Sequence, residues 1–98
     1  MAKHTDKDSS GTSFHSTTII TNVGKLIKLF PDSYTGDNKG NDKVNFDFCL
    51  ETSKGDVFTI YDWKYYRPIG MYEPVTFNIG GFSREVTETA KRELLEIL

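Results

Sequence analysis

Four aromatic rings and two cations fall within seven residues, Tyr61-Asp62-Trp63-Lys64-Tyr65-Tyr66-Arg67. Trp, Tyr and Arg dominate the hot spots of binding surfaces, because they combine large apolar area with a polar or charged end. Tyr61, Trp63, Lys64, Tyr65, Tyr66 and Arg67 are therefore candidate contact residues. A second stretch, Asn78-Ile79-Gly80-Gly81-Phe82-Ser83, offers backbone chemistry. Two glycines let a ligand approach the main chain, and the helix expected after them begins with free N–H groups that suit an anion. Asn78, Gly80, Gly81 and Arg84 are the candidate anion site. A base stacked on Trp63 or a tyrosine, with its phosphate held there, is one chemistry this composition allows. The Gly-Gly pair matches neither the dinucleotide fingerprint nor the phosphate loop, and a tight turn is its plainer reading.

Catalytic groups are sparse. His15 and Ser16 are neighbours in sequence, which does not set them up as base and nucleophile. Asp47 and Asp62 fall on opposite faces of their expected hairpin by strand parity, so they form no acid–base pair. Asp62, amid apolar neighbours, is expected as a buried structural carboxylate that caps a turn or pairs with Lys64 or Arg67. Cys49 is the single cysteine, which excludes an intramolecular disulfide and a cysteine zinc site. Asp37-Asn38-Lys39-Gly40-Asn41-Asp42 lacks the alternating carboxylates and closing Glu of a calcium loop. No enzyme, metal or cofactor is expected.

The elements that must position these residues belong to one domain, since 98 residues leave no room for two. A net charge of −2 supplies no basic field for general nucleic-acid binding. No run of the chain is apolar enough for a signal peptide or a membrane span, and the cytoplasm is the expected location. Residues 1–13 are polar and aperiodic and are expected as a disordered tail. Phe14 to Thr21 is β-branched and predicts a strand. Asn22 then reads as an N-cap, with Val23, Leu26, Ile27 and Phe30 on one helical face until Pro31. A strand running on from Phe14 to Phe30 ranks second. Residues 31–42 read as a mobile loop, long enough to serve as a flap.

From Lys43 to Glu51 apolar and polar residues alternate, with Val44, Phe46, Phe48 and Leu50 on one face. Thr52 to Asp56 turns the chain, and Val57 to Trp63 returns as the partner strand. Val75 to Ile79 is a third strand, and Ser83 caps a last helix whose stripe is Val86, Ala90, Leu94 and Ile97, with Glu88 able to pair with Arg92. The expected fold is α+β in one domain over residues 14–98, an antiparallel sheet of three to four strands packed on two helices in the order β-α-β-β-β-α. The apolar face lies against the helices. The opposite face shows Asn45, Asp47, Val57, Thr59, Tyr61, Trp63, Thr76 and Asn78, and large rings on such a face suggest an interface.

Three places resemble a group of small phage-encoded proteins: Leu29-Phe30 before the polar loop, Asp42-Lys43-Val44 followed by Thr59-Ile60-Tyr61-Asp62-Trp63-Lys64, and Phe77-Asn78-Ile79-Gly80-Gly81 before the last helix. Together they span about Phe14 to Leu98. Asn78 departs from that pattern, which has a bulkier polar residue or His there. The resemblance implies a role in phage–host conflict inside the host cell, as an inhibitor of a defence enzyme or a sponge for a signalling nucleotide. The expected function is a non-enzymatic binding protein whose partner is a host protein or a small nucleotide. A structural protein that homodimerises through its exposed sheet face is the alternative, and a small hydrolase or nuclease ranks last.

Overall fold

The computed structural model describes residues 1–98. It is an α+β fold of two helices and a six-stranded antiparallel sheet. The strands are β1 (Lys3–His4), β2 (Ser13–Thr21), β3 (Tyr34–Thr35), β4 (Asp47–Glu51), β5 (Val57–Tyr61) and β6 (Val75–Gly81). The helices are α1 (Val23–Leu29) and α2 (Arg84–Ile97). Across the sheet the order is β1-β4-β5-β6-β2, with β3 also pairing β4. The chain order is thus β-β-α-β-β-β-β-α, two strands more than the four of the expected order. The extra strands, β1 and β3, hold two residues each, too few to show any periodicity.

Local chemistry accounts for the helices. Asn22 accepts the Lys25 N–H at 2.9 Å to open α1. Ser83 accepts the Val86 N–H at 3.3 Å to open α2. Glu88 pairs with Arg84 at 3.1 Å rather than with Arg92. The stripe of α2 also differs from expectation: Thr87 and Glu93 are buried beside Ala90 and Leu94, while Val86 and Ile97 are half-buried. Both buried polar side chains are partnered. Thr87 Oγ1 lies 2.7 Å from Thr17 Oγ1. Glu93 accepts the Ser53 N–H at 2.9 Å and meets the Met1 amine at 3.1 Å. Burial pushes the Glu93 carboxyl up, but these bonds outweigh it and leave it below the usual range.

The core lies between the helices and one face of the sheet. Phe48, Leu50, Phe58, Ile60, Phe77 and Ile79 are fully buried there with Val23, Leu26, Ala90 and Leu94. Each of these side chains except Ala90 contributes about 1.5–3 kcal/mol by leaving water. The ring of Tyr34 on β3 lies 5.8 and 5.5 Å from those of Phe46 and Phe48, which draws the start of the 31–42 loop onto the sheet.

Three expectations are overturned here. The first concerns residues 1–13, which are not a disordered tail. Ala2 joins the core, Lys3 and His4 pair with Glu51 and Leu50, and Ser13 already belongs to β2. Because β1 and β2 sit at opposite edges, Thr5–Thr12 must cross the sheet on the face away from the helices. The Cys49 thiol lies 3.9 Å from the Lys7 carbonyl along that crossing. Second, the alternation from Lys43 stops short of its start. Only Asp47–Glu51 is strand, Asn45 is buried, and half-buried Val44 lies on the face opposite Phe48. Third, the 31–42 loop is riveted rather than free. Asn38 accepts the Ile69 N–H at 2.7 Å and donates to the Ile69 carbonyl at 2.9 Å. Asn45 accepts the Gly40 N–H at 2.9 Å and donates to the Arg67 carbonyl at 2.8 Å.

Candidate functional site

Asp62 sets the geometry of the aromatic segment. Its carboxylate is completely buried and accepts the Asn45 N–H at 3.0 and 2.9 Å and the Phe46 N–H at 2.7 Å. It has no cationic partner among the ion pairs of the chain. The capping half of the expectation is what the structure shows, and it explains why β5 ends at Tyr61 and why β4 begins late. Beyond Asp62 the Lys64 N–H donates to the Lys43 carbonyl at 2.7 Å. Lys64 and Tyr66 take φ of 59° and 52°. Non-glycine residues held in this left-handed region carry strain and concentrate at functional sites.

Trp63 is thereby turned outward, with 44% of its surface exposed. The Tyr61 ring meets it edge-on, 6.1 Å between centroids. The ammonium groups of Lys43 and Lys64 lie 5.8 and 5.7 Å from the indole centroid. Neither lysine is paired with a carboxylate. Beside the indole is a hollow of about 260 Å³ lined by Ser9, Thr12, Ser13, Val44, Asp47, Thr59, Tyr61, Trp63 and Gly80. The Thr5–Thr12 crossing forms one wall and the sheet forms the floor.

Gly80 matters to that floor. A Cβ there would stand 2.6 Å from Thr59 Oγ1 and 3.6 Å from Tyr61 Cε1. Asp47 keeps contact with solvent at the rim. Burial raises its carboxyl above the usual range and the charge of Asp62 adds to the rise. Burial also pushes the Tyr61 phenol up, against a hydrogen bond with Asn78, with a further rise from Asp47. The hollow thus presents the indole, one carboxyl and a row of hydroxyls, and the two ammonium groups sit over the Trp63 ring at its side.

The expected site residues are divided by the structure. Tyr61, Trp63, Lys64, Asn78 and Gly80 gather at or beside the hollow. Tyr66 is exposed. Tyr65 packs against the core instead of offering its ring. Arg67 is engaged by Glu73 through two bonds of 2.8 and 2.9 Å and lies 5.4 Å from the Tyr65 centroid. Glu73 also accepts the Gly70 N–H at 2.6 Å, and these contacts hold its carboxyl down to about 2. Arg67 therefore closes the 67–73 turn, and its guanidinium is already engaged.

The anion site does not assemble. Gly80 and Gly81 are consecutive residues of β6 and face opposite sides of the sheet. A Cβ on Gly81 would meet Thr87 Cγ2 of α2 at 2.9 Å, so that glycine permits close helix–sheet packing. Arg84 is spent on Glu88. Val44, Asp47, Thr59 and the crossing residues Ser9, Thr12 and Ser13 complete the hollow, and Lys43 stands over the indole. Parity places Asp47 and Thr59 on Tyr61's face; no sequence signal places the crossing.

One string of reactive side chains lies elsewhere. His4 Nδ1 is 2.7 Å from Ser33 Oγ, and His4 Nε2 is 3.0 Å from Asp6 Oδ1. Both ring nitrogens of His4 are thus engaged. Ser33 is buried, its N–H donates to the Phe30 carbonyl, and its own carbonyl accepts the Cys49 N–H. The string fastens β1 to the turn after α1. No group of His, Cys, Asp and Glu is arranged to hold a metal, and no helix is long and apolar enough to cross a membrane. No protein-family model, curated protein or solved structure matches this chain.

Proposed function

We propose that this chain is a non-enzymatic binding protein of the phage type, and that it sequesters a small nucleotide at the hollow beside Trp63. The observation that carries the reading is the pair of unpaired ammonium groups within 6 Å of a half-exposed indole, next to a polar hollow. Stacking on an aromatic ring is worth about 1–3 kcal/mol per base. Two free lysines suit phosphate, and the Asp47 carboxyl with the Thr59 and Ser13 hydroxyls suits the polar edge of a base or ribose. The strain at Lys64 and Tyr66 supports a site held in a fixed shape before any ligand arrives. The phage setting, and with it a role against host defence, rests on the resemblance of the TIYDWK and FNIGG segments.

Capture of a host protein is the counterpart within the same setting. The free lysines favour the nucleotide, because a protein anchor at Trp63 needs no pair of cations. A homodimer through the sheet face is disfavoured, since the Thr5–Thr12 crossing occupies part of that face.

Thermal shift and titration calorimetry over a panel of mono-, di- and cyclic dinucleotides test the reading. A ligand at 100 times its Kd stabilises the fold by about 2.7 kcal/mol. Trp63→Ala should abolish the shift while the unliganded melt stays near wild type, as suits a side chain 44% exposed. The absence of a shift across the panel would refute the nucleotide reading.

A further inference from the structure

We propose that two copies of this chain associate edge to edge through β2, antiparallel about a two-fold axis normal to the sheet. The two edges of the sheet are treated differently. Beyond β4 the chain places β1 and β3, of two residues each, so that edge is short and interrupted. Beyond β2 there is nothing: β2 pairs only with β6, and no hydrogen bond within the chain reaches the outer side of Thr18–Thr21. Open edges are usually blunted by Lys, Pro or a bulge. Only a bulge is present, between Phe14 and Thr18 with Ser16 at φ 67°, and it shields the first half of the strand. The half left open is Thr18-Ile19-Ile20-Thr21, all β-branched.

A second copy is the occupant that fits. In a two-fold pair every residue faces a residue of its own strand, so any charge would stand near itself. Charged residues make up 27% of the chain, yet Ser13–Thr21 contains no Asp, Glu, Lys or Arg. An axis normal to the sheet keeps the faces of both copies aligned, so residues opposite one another share parity. Ile20, 70% exposed on the face away from the helices, then packs on Thr18, Ile20 or Asn22 of its partner. So short a ladder is at the low end of specific interfaces, and the dimer is correspondingly concentration-dependent. It would also set two Trp63 hollows on one face.

Sedimentation velocity over a concentration series is the test, with amide hydrogen exchange beside it. Wild type should shift from the 11.2 kDa chain mass toward twice that value. The outward amides of Thr18–Thr21 should gain protection with concentration. Ile20→Lys removes an apolar contact and brings like charges together, which should weaken association by about tenfold. The dilute melt should not move. Ile20→Thr, which keeps the branched strand geometry, should weaken it less and covers the case in which the lysine variant fails to fold. Wild type at the monomer mass throughout would overturn the proposal, including in favour of a foreign peptide on this edge. So would an Ile20→Lys chain that dimerises as wild type does, or concentration-dependent protection found away from β2. None of these readouts involves a nucleotide.

Discussion

Replacing Asp62 by alanine is the sharpest test of how the site is built. The carboxylate is fully buried and is the acceptor for two main-chain donors, Asn45 N–H and Phe46 N–H, in a region that is itself buried. Alanine leaves both donors without a partner. Each unsatisfied buried donor costs about 1–3 kcal/mol, so the loss should be about 3–5 kcal/mol once the small cavity is counted. A domain of this size has roughly 5–15 kcal/mol in total, and each kcal/mol moves Tm by about 4–8 °C. Asp62→Asn keeps one acceptor oxygen and sheds a buried charge, so it should fall between wild type and alanine. Urea unfolding followed through Trp63, the single tryptophan, reads both stability and the local environment. The midpoint should drop with the slope unchanged, and the folded baseline of Trp63 should change because the segment it sits on has lost its anchor. If Asp62→Ala unfolds within about 1 kcal/mol of wild type, the carboxylate is not the cap that ends β4 and β5.

Two further outcomes are expected. Glu73 is depressed from its ordinary value near 4.5 to about 2, so its contribution is present in full above the unfolded value and fades as pH falls through the folded one. Melting temperature measured between those limits should therefore fall less steeply for Glu73→Gln than for wild type, and equal slopes would show that the Arg67 contact is idle. Gly80→Ala should cost about 1–3 kcal/mol, because its Cβ would stand 2.6 Å from Thr59 Oγ1. Thr59→Ala should restore part of that loss in the double variant, and strict additivity of the two changes would refute the contact.

The parts that could be read from the chain are those whose signals repeat. Asn22 and Ser83 as caps, the apolar positions of α1 and the Phe48/Leu50–Phe58/Ile60 face all follow from a period that recurs. Parity also placed Tyr61 and Thr59 together and Asp62 inside. What escaped were single long-range events. A two-residue strand such as Lys3–His4 has no period, and its place is set by Ala2 entering the core. The polarity of residues 5–12 suits disorder and equally suits a crossing held by side-chain bonds, such as that from Lys7 Nζ to the Gly55 carbonyl at 3.0 Å. For the site the same division holds. Trp63 was visible as a rich residue type, whereas Arg67 looked available because no sequence signal pairs it with Glu73, six residues on in the same turn.

The hollow exists because regular strand geometry fails on three sides of it at once. Had the alternation continued through Val44, that side chain would lie on the core face. Instead the Asp62 cap takes the N–H groups of Asn45 and Phe46 and leaves Val44 on the opposite face as a wall. With β5 extended to Trp63, the indole would have lain along the sheet; the turn at Lys64 and Tyr66 sets it at the rim between two lysines. A side chain at position 80 would fill the floor, and glycine leaves it open. Each departure breaks a local rule: one buries a carboxylate without a cation, one holds two residues in a strained backbone region, and one places glycine inside a strand. Local rules tend to be broken together where a surface is kept for a partner. Their convergence beside Trp63 is the physical argument for the site proposed there.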